Sequence, residues 1–323
     1  MPRLLLVLAL ALVSSVAAGC GGGDGSADDG SVSAVAAVYP LAWLAERVAP
    51  DAEVTLLTAG GAEAHDLDLT PSQRSAIETS DVVLYVGDIG YQPQVEEAVG
   101  AASGEVVALS DVAGDRVLRA AGDLHSDGEH AGEESGEHAG EESGEHGDEA
   151  IDAHMWFDAE IMAEVAERVG AAFAAADPSR AEMYRENAAG ARDELMGVRG
   201  DLDDLLGGPC RLDEAVVSHQ AYGYLLRPFG HTQHGVTGIN PEAGASSAEL
   251  AELVAEIRAQ GIGHVLVEPV EGRSDAEVVA REAGVELLEV SPLDAVTDAE
   301  AGTAFPELLR QQARQFATAL GCP

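Results

Sequence analysis

The sequence predicts an α/β protein of two parallel-sheet lobes joined by one long rigid helix. Short apolar runs rich in Val, Leu and Ala alternate with helical patterns on both sides of residue 177, and that alternation implies parallel sheet with crossover helices. Between the two halves a helical pattern opens at Asp177-Pro178 and runs to residue 206 without an internal proline. At 1.5 Å per residue it is roughly 40 Å long, enough for a stiff spine between lobes. Open parallel sheets gather ligands beyond the C-terminal ends of their strands, so this architecture predicts a cleft between the lobes.

The chain starts Met-Pro-Arg and continues with an apolar run over 4–18. A bilayer span takes about 20 residues, so this shorter run suits the apolar core of a signal peptide, here residues 1–19. Ala17, Ala18 and Gly19 directly before Cys20 resemble the lipobox of bacterial lipoproteins, in which the cysteine is lipidated and becomes the new N-terminus. Residues 20–33 then form a Gly-, Asp- and Ser-rich tether on a lipid anchor. The N-terminal lobe covers 34–176, with strands at 34–38, 54–58, 82–86 and 106–110. Helices lie between them at 41–48, 71–79 and 93–102, two of them opening on proline.

A different kind of segment interrupts this lobe at 123–150. The octet Gly-Glu-His-Ala-Gly-Glu-Glu-Ser occurs twice from Gly128 and begins a third time, with almost no apolar bulk and no basic residue. It buries too little surface to offset its chain entropy and is expected to be a disordered loop. Four imidazoles, His125, His130, His138 and His146, stand among eleven carboxylates over 123–149. Imidazole is a common zinc ligand, so auxiliary metal contact is the expectation, against the plainer reading of an acidic solubilising linker. His154 differs, because patterning resumes there with Met155, Trp156 and Phe157.

After a helix at 159–175 and the linking helix at 177–208, the C-terminal lobe occupies 209–323. Strands are expected at 215–218, 235–239, 265–268 and 285–290, with helices at 220–229, 247–259, 274–283 and 306–320. Cys210 and Cys322 are the only cysteines besides Cys20. In an oxidising compartment such a pair reads as one disulfide, and neither lies near another Cys or a His in sequence, as a Cys-based metal site requires.

The formal charge is −41, carried against 17 arginines and no lysine. That balance excludes nucleic acid as a partner and electrostatic docking to anionic lipid, and it favours attraction of cations. His65, in the loop after one strand, His154, after the acidic loop, and His219, at the end of another strand, each face the expected cleft. Three imidazoles suit zinc, with water or a carboxylate in the fourth position. His231, His234 and His264 occupy turn-like or strand-entry positions and share no motif.

These residues resemble the zinc and manganese substrate-binding lipoproteins of bacterial ABC importers. Gly-Gly-Ala-Glu-Ala-His65-Asp-Leu-Asp-Leu-Thr-Pro-Ser-Gln is similar to the first ligand loop of that family. Asp152-Ala-His154-Met-Trp-Phe-Asp158 resembles the second ligand motif, with Ala153 in place of its usual proline, and Ser218-His219-Gln-Ala-Tyr-Gly-Tyr the third. Val267-Glu268-Pro269 and Val290-Ser291-Pro292-Leu293 resemble the last two strand ends, although Ser291 stands where the family usually has aspartate.

The resemblance implies a metal in the interlobe cleft held by His65, His154 and His219. With no Asp at 291, the fourth position falls to water, Glu63 or a loop carboxylate, and Asp66 or Asp158 is expected in outer support. It further implies zinc rather than manganese, since manganese binders tend to place a carboxylate at the third position. The expected protein is a non-enzymatic, extracytoplasmic, lipid-anchored monomer that delivers zinc to an ABC transporter permease. In it the loop histidines raise the local zinc concentration. Rival readings are a manganese- or iron-binding member, a zinc-dependent hydrolase, and a zinc buffer or adhesin without a transporter. The hydrolase lacks a His-Glu-x-x-His or similar motif.

Overall fold

Four-residue runs of branched and small apolar residues build the first sheet: β1 (Ser33–Ala36), β2 (Glu53–Leu56), β3 (Val82–Tyr85) and β4 (Glu105–Ala108). All pairings are parallel, in the order β2-β1-β3-β4. β3 is buried at every position, as expected of a central strand covered on both faces. The computed structural model describes residues 31–58, 64–65, 67–119, 151–239, 244–269, 272–297 and 299–323. The leader, Cys20, Glu63, Asp66 and the loop histidines His125, His130, His138 and His146 lie outside the described residues.

Proline in the first turn starts α1 (Tyr39–Val48), α2 (Pro71–Thr79) and α3 (Pro93–Val99). Thr70 and Gln73 close a capping box on α2. The run expected as strand to residue 110 instead stops at Ala108, and α4 (Leu109–Ala113) follows directly. α5 (Ala159–Ala176) is capped by Asp158, whose carboxylate accepts the backbone N–H groups of Glu160 and Ile161. Both cap contacts are made by Oδ1 of Asp158.

The spine is α6 (Ala181–Leu206), preceded by a 3-10 turn at Pro178–Arg180. Tyr184, Ala188, Ala191, Leu195, Val198, Leu202 and Leu206 recur at spacings of three and four and form its buried stripe. That stripe packs mainly on α5 and also touches α1 and α10 (Phe305–Leu320). At the α5 crossing a Cβ on Gly170 would meet the Cβ of Ala188 at 2.5 Å, so glycine permits the close approach. One continuous apolar core therefore joins Ala36 and Leu84 of the first sheet, the α6 stripe, and Val217 and Leu266 of the second.

The second sheet is β5 (Glu214–His219), β6 (Thr232–Thr237), β7 (His264–Val267) and β8 (Glu286–Glu289), parallel in the order β6-β5-β7-β8. The helix expected over 220–229 is shorter: α7 (Gly223–Leu226) gives way to a 3-10 turn at Arg227–Phe229, closed by Gly230 at φ 81°. Pro228 supplies no N–H and so cannot continue an α-helical ladder there. α8 (Ser247–Gln260) and α9 (Arg273–Ala283) complete the layer.

Cys210 and Cys322 are disulfide-bonded, tying the start of the second half to the chain end across a separation of 112 residues. Closing a loop of that size removes unfolded-state entropy, so the double variant Cys210→Ser, Cys322→Ser is expected to lose about 4 kcal/mol in urea unfolding. A loss under about 1 kcal/mol would show that α10 packing alone holds this end.

Candidate metal centre

His65 stands in the loop beyond β2, His154 directly before a 3-10 turn at Met155–Phe157, and His219 is the last residue of β5. The fold brings all three together. Ring centroids are 5.4 Å apart for His65 and His154, 5.8 Å for His65 and His219, and 5.3 Å for His154 and His219. One ring nitrogen of each lies within 4.8 Å of the others, and all three side chains are buried. Nε2 of His65 and of His154 is buried with no hydrogen-bond partner among the described residues.

The chain reaches His154 by a tie. Arg119 and Ile151 form an isolated antiparallel bridge, and the Asp152 N–H donates to the Leu118 carbonyl at 3.0 Å. Positions 118–119 and 151–152 are thus held together, and Ile151 stands three residues before the ligand.

Carboxylates stand behind two of the rings. Asp152 Oδ1 lies 2.8 Å from His154 Nδ1 and also accepts the His154 backbone N–H at 2.9 Å. Glu268 Oε2 lies 2.7 Å from His219 Nδ1, and its other oxygen accepts the Tyr222 hydroxyl at 2.6 Å. Both contacts commit Nδ1 and direct Nε2 to a metal, as in carboxylate–histidine–metal triads. Asp152 is therefore an outer support for His154 that the sequence did not single out.

The fourth-ligand question changes in the structure. Ser291 is turned to the backbone, its Oγ accepting the Leu293 N–H at 3.4 Å. A buried carboxylate arrives three residues later, from Asp294, whose Oδ2 accepts the Tyr91 hydroxyl at 3.3 Å. Leu293 at φ 62° makes this turn in the left-handed region, costly for a leucine and common near functional sites. Asp294 is also held by its carbonyl, which accepts from the Tyr39 N–H and the Thr58 hydroxyl. Sequence reading missed Asp294, Tyr91 and the Glu268–Tyr222 contact.

The rings are enclosed by aromatics: Tyr91 lies edge-on 4.7 Å from His65, and Trp156 5.2 Å from His154. The Trp156 indole donates to the Pro292 carbonyl at 2.7 Å, linking the two lobes at the cleft.

Burial sets the protonation. Desolvation, with the charges of His154 and His219, holds the His65 imidazole down to about 2. Desolvation, with His219, likewise takes His154 well below its ordinary value. Burial pushes Asp152 up to about 7, against its hydrogen bond from the His154 backbone. His219 also feels desolvation, but Glu268, then Asp294 and Asp152, outweigh it and raise its value. Two rings are thus neutral donors at neutral pH and the third is the proton-sensitive one.

The other described histidines, His231, His234 and His264, stand outside this group. His231 Nε2 lies 3.0 Å from the Leu206 carbonyl, His234 meets Glu256, and His264 stands 3.9 Å from Glu286.

The chain has relatives among known proteins. A family model described as zinc-uptake complex component A, periplasmic (ZnuA), matches residues 34–319. The zinc-binding protein AdcA of Streptococcus pyogenes serotype M3 is 26% identical over 286 residues, covering 88% of this chain and 55% of that one. This chain therefore spans about half the length of the streptococcal relatives. The high-affinity zinc uptake system protein ZnuA of Bacillus subtilis is 25% identical over 317 residues, covering 95% of this chain and 94% of that one. Among solved structures, the Zn(II)-bound ZnuA-like domain of Streptococcus pneumoniae AdcA shares the fold at a TM-score of 0.69 and 21% identity, covering 90% of this chain and all of that one.

Proposed function

The chain belongs to the zinc-uptake complex component A family, and from that membership we propose that it captures zinc outside the cytoplasm and delivers it to the membrane permease of an ABC importer. The observation that carries this reading is the convergence of three buried imidazoles from both lobes, with one ring nitrogen of each within 4.8 Å of the others. Nitrogen-rich donor sets suit zinc, whereas manganese prefers oxygen ligands. His65, His154 and His219 bind through Nε2. Asp294 supplies the charge that three neutral rings lack, either directly or through a bound water, while Glu63 remains a further candidate for the fourth position.

Cys20 carries the lipid anchor, the monomer works at the outer face of the membrane, and His125, His130, His138 and His146 gather zinc near the cleft. The family is one of transport binding proteins rather than enzymes. Release at the permease requires the turn around Asp294 to move. That motion breaks the Trp156–Pro292 hydrogen bond and the contacts of Tyr39 and Thr58 to Asp294. Small lobe shifts suffice, since the shared core along α6 resists wide opening.

Competitive titration of the mature protein against a chelator tests this reading, with zinc and manganese in parallel. A single tight zinc per chain that manganese does not displace is expected, and tight manganese with weak zinc would overturn it. The pH dependence follows from the shifts. Burial keeps protons off His65 and His154 until strongly acidic pH, so competition begins at His219, whose value is raised. Affinity is therefore complete above the His219 range and falls about tenfold per pH unit below it, because one proton must leave for each zinc bound. Chelator competition between about pH 8 and about pH 5 reads this, and a flat profile would refute it.

A further inference from the structure

A second set of metal-ligating side chains stands at the edge of the other sheet, apart from the triad. Glu214 opens β5, His234 lies on the edge strand β6, and Glu256 lies on α8. Strand register makes the first two neighbours. Val216 pairs with His234 and Glu214 with Thr232, so Glu214 and His234 lie diagonally on the face that carries Val216. That face is covered by α8, where Leu253, Val254 and Ile257 pack with Val216. Glu256, next to Ile257, reaches from the helix to the strand edge.

There His234 Nδ1 lies 3.2 Å from Glu256 Oε2. One ligand atom from each of the three residues lies within 4.8 Å of the others. Gln260, one turn after Glu256, donates to Glu256 Oε1 at 2.9 Å and to Glu214 Oε2 at 3.4 Å, so one amide positions both carboxylates. Among the described residues no arginine pairs with either of them.

We infer that Glu214, His234 and Glu256 form a second, weaker divalent-cation site that takes zinc. Zinc–nitrogen and zinc–oxygen bonds of about 2.0–2.2 Å put neighbouring ligands about 3.3 Å apart around a tetrahedral ion, and the His234–Glu256 separation already has this value. A plain His–Glu ion pair accounts for two of the three residues. It does not account for the second carboxylate that Gln260 draws in, whose repulsion with Glu256 a divalent cation relieves. The site opens on a groove of about 380 Å³ whose wall also includes Glu249, Glu252 and Gln220, so water can complete the coordination. Sequence alone reads His234 as a strand-entry residue, because its partners lie 20 or more positions away.

Zinc titration of the mature full chain, carried past the tight equivalent, tests the site. The wild type is compared with His234→Ala and with the isosteric Glu256→Gln. Cobalt(II) broadening of the backbone amide signals of Val236 and Leu253 locates the ion. Each variant is expected to lose one weak equivalent, and the broadening at Val236 and Leu253 to disappear. The tight equivalent and any binding by the loop histidines stay unchanged, so failure here is separable from failure of the triad reading. Unchanged weak stoichiometry in both variants, or no broadening at Val236 and Leu253 in the wild type, overturns the proposal.

Discussion

His154→Ala is expected to lower zinc affinity by a hundredfold or more while the fold persists. Zinc in closed protein sites binds with about 10–16 kcal/mol, and one of four ligands carries roughly a quarter of it. That share is about 3 kcal/mol, or about two decades in affinity at 1.4 kcal/mol per decade. The substitution also strips the buried Asp152 carboxylate of its ring partner. Because burial already pushes Asp152 up to about 7, it can take a proton instead of remaining as an unpaired buried charge. Chelator competition reads the affinity, and a circular dichroism melt without metal verifies folding. Asp152→Asn separates the roles, since loss of the outer partner alone costs about 10–100-fold. A His154→Ala protein that retains tight zinc would remove His154 from the centre.

The second large effect is on stability. Nε2 of His65 and of His154 is buried without a hydrogen-bond partner among the described residues, an arrangement that costs folding energy until a ligand is bound. Zinc at a thousandfold excess over Kd should stabilise the native state by about 4 kcal/mol. For a domain of this size each kcal/mol raises Tm by about 2–4 °C, so the expected shift is about 8–16 °C. Melts in zinc and in chelator measure it. Equal melting temperatures, with the protein shown to be saturated, would mean that the metal also binds the unfolded chain or that the site is not this one.

Several of these features were legible in the residues. A proline-free run of helical pattern marked α6, and three histidines each placed after a strand or a resumed apolar pattern marked the triad. The buried carboxylate of Asp294 was not legible. The motif directs attention to position 291, and only the left-handed Leu293 reveals that the chain turns once more and presents Asp294. Pairings across the sequence were equally hidden, among them Glu268 with His219 and Glu256 with His234, because helix docking and parallel register decide them. The shortening of α7 was foreshadowed by Pro228, but the alternating pattern around it spoke for a longer helix.

The Arg119–Ile151 bridge bears on how many octets the chain can carry. It pairs positions 119 and 151, so the octets are inserted between two residues already held together. For a loop of the kind its composition predicts, closure entropy grows only as about (3/2)RT ln n, so adding one octet to about thirty residues costs about 0.2 kcal/mol. Copy number of the histidine-bearing octet is therefore almost neutral for folding. Duplication or loss of repeats can retune how many imidazoles the protein carries without disturbing the bridge, Asp152 or His154.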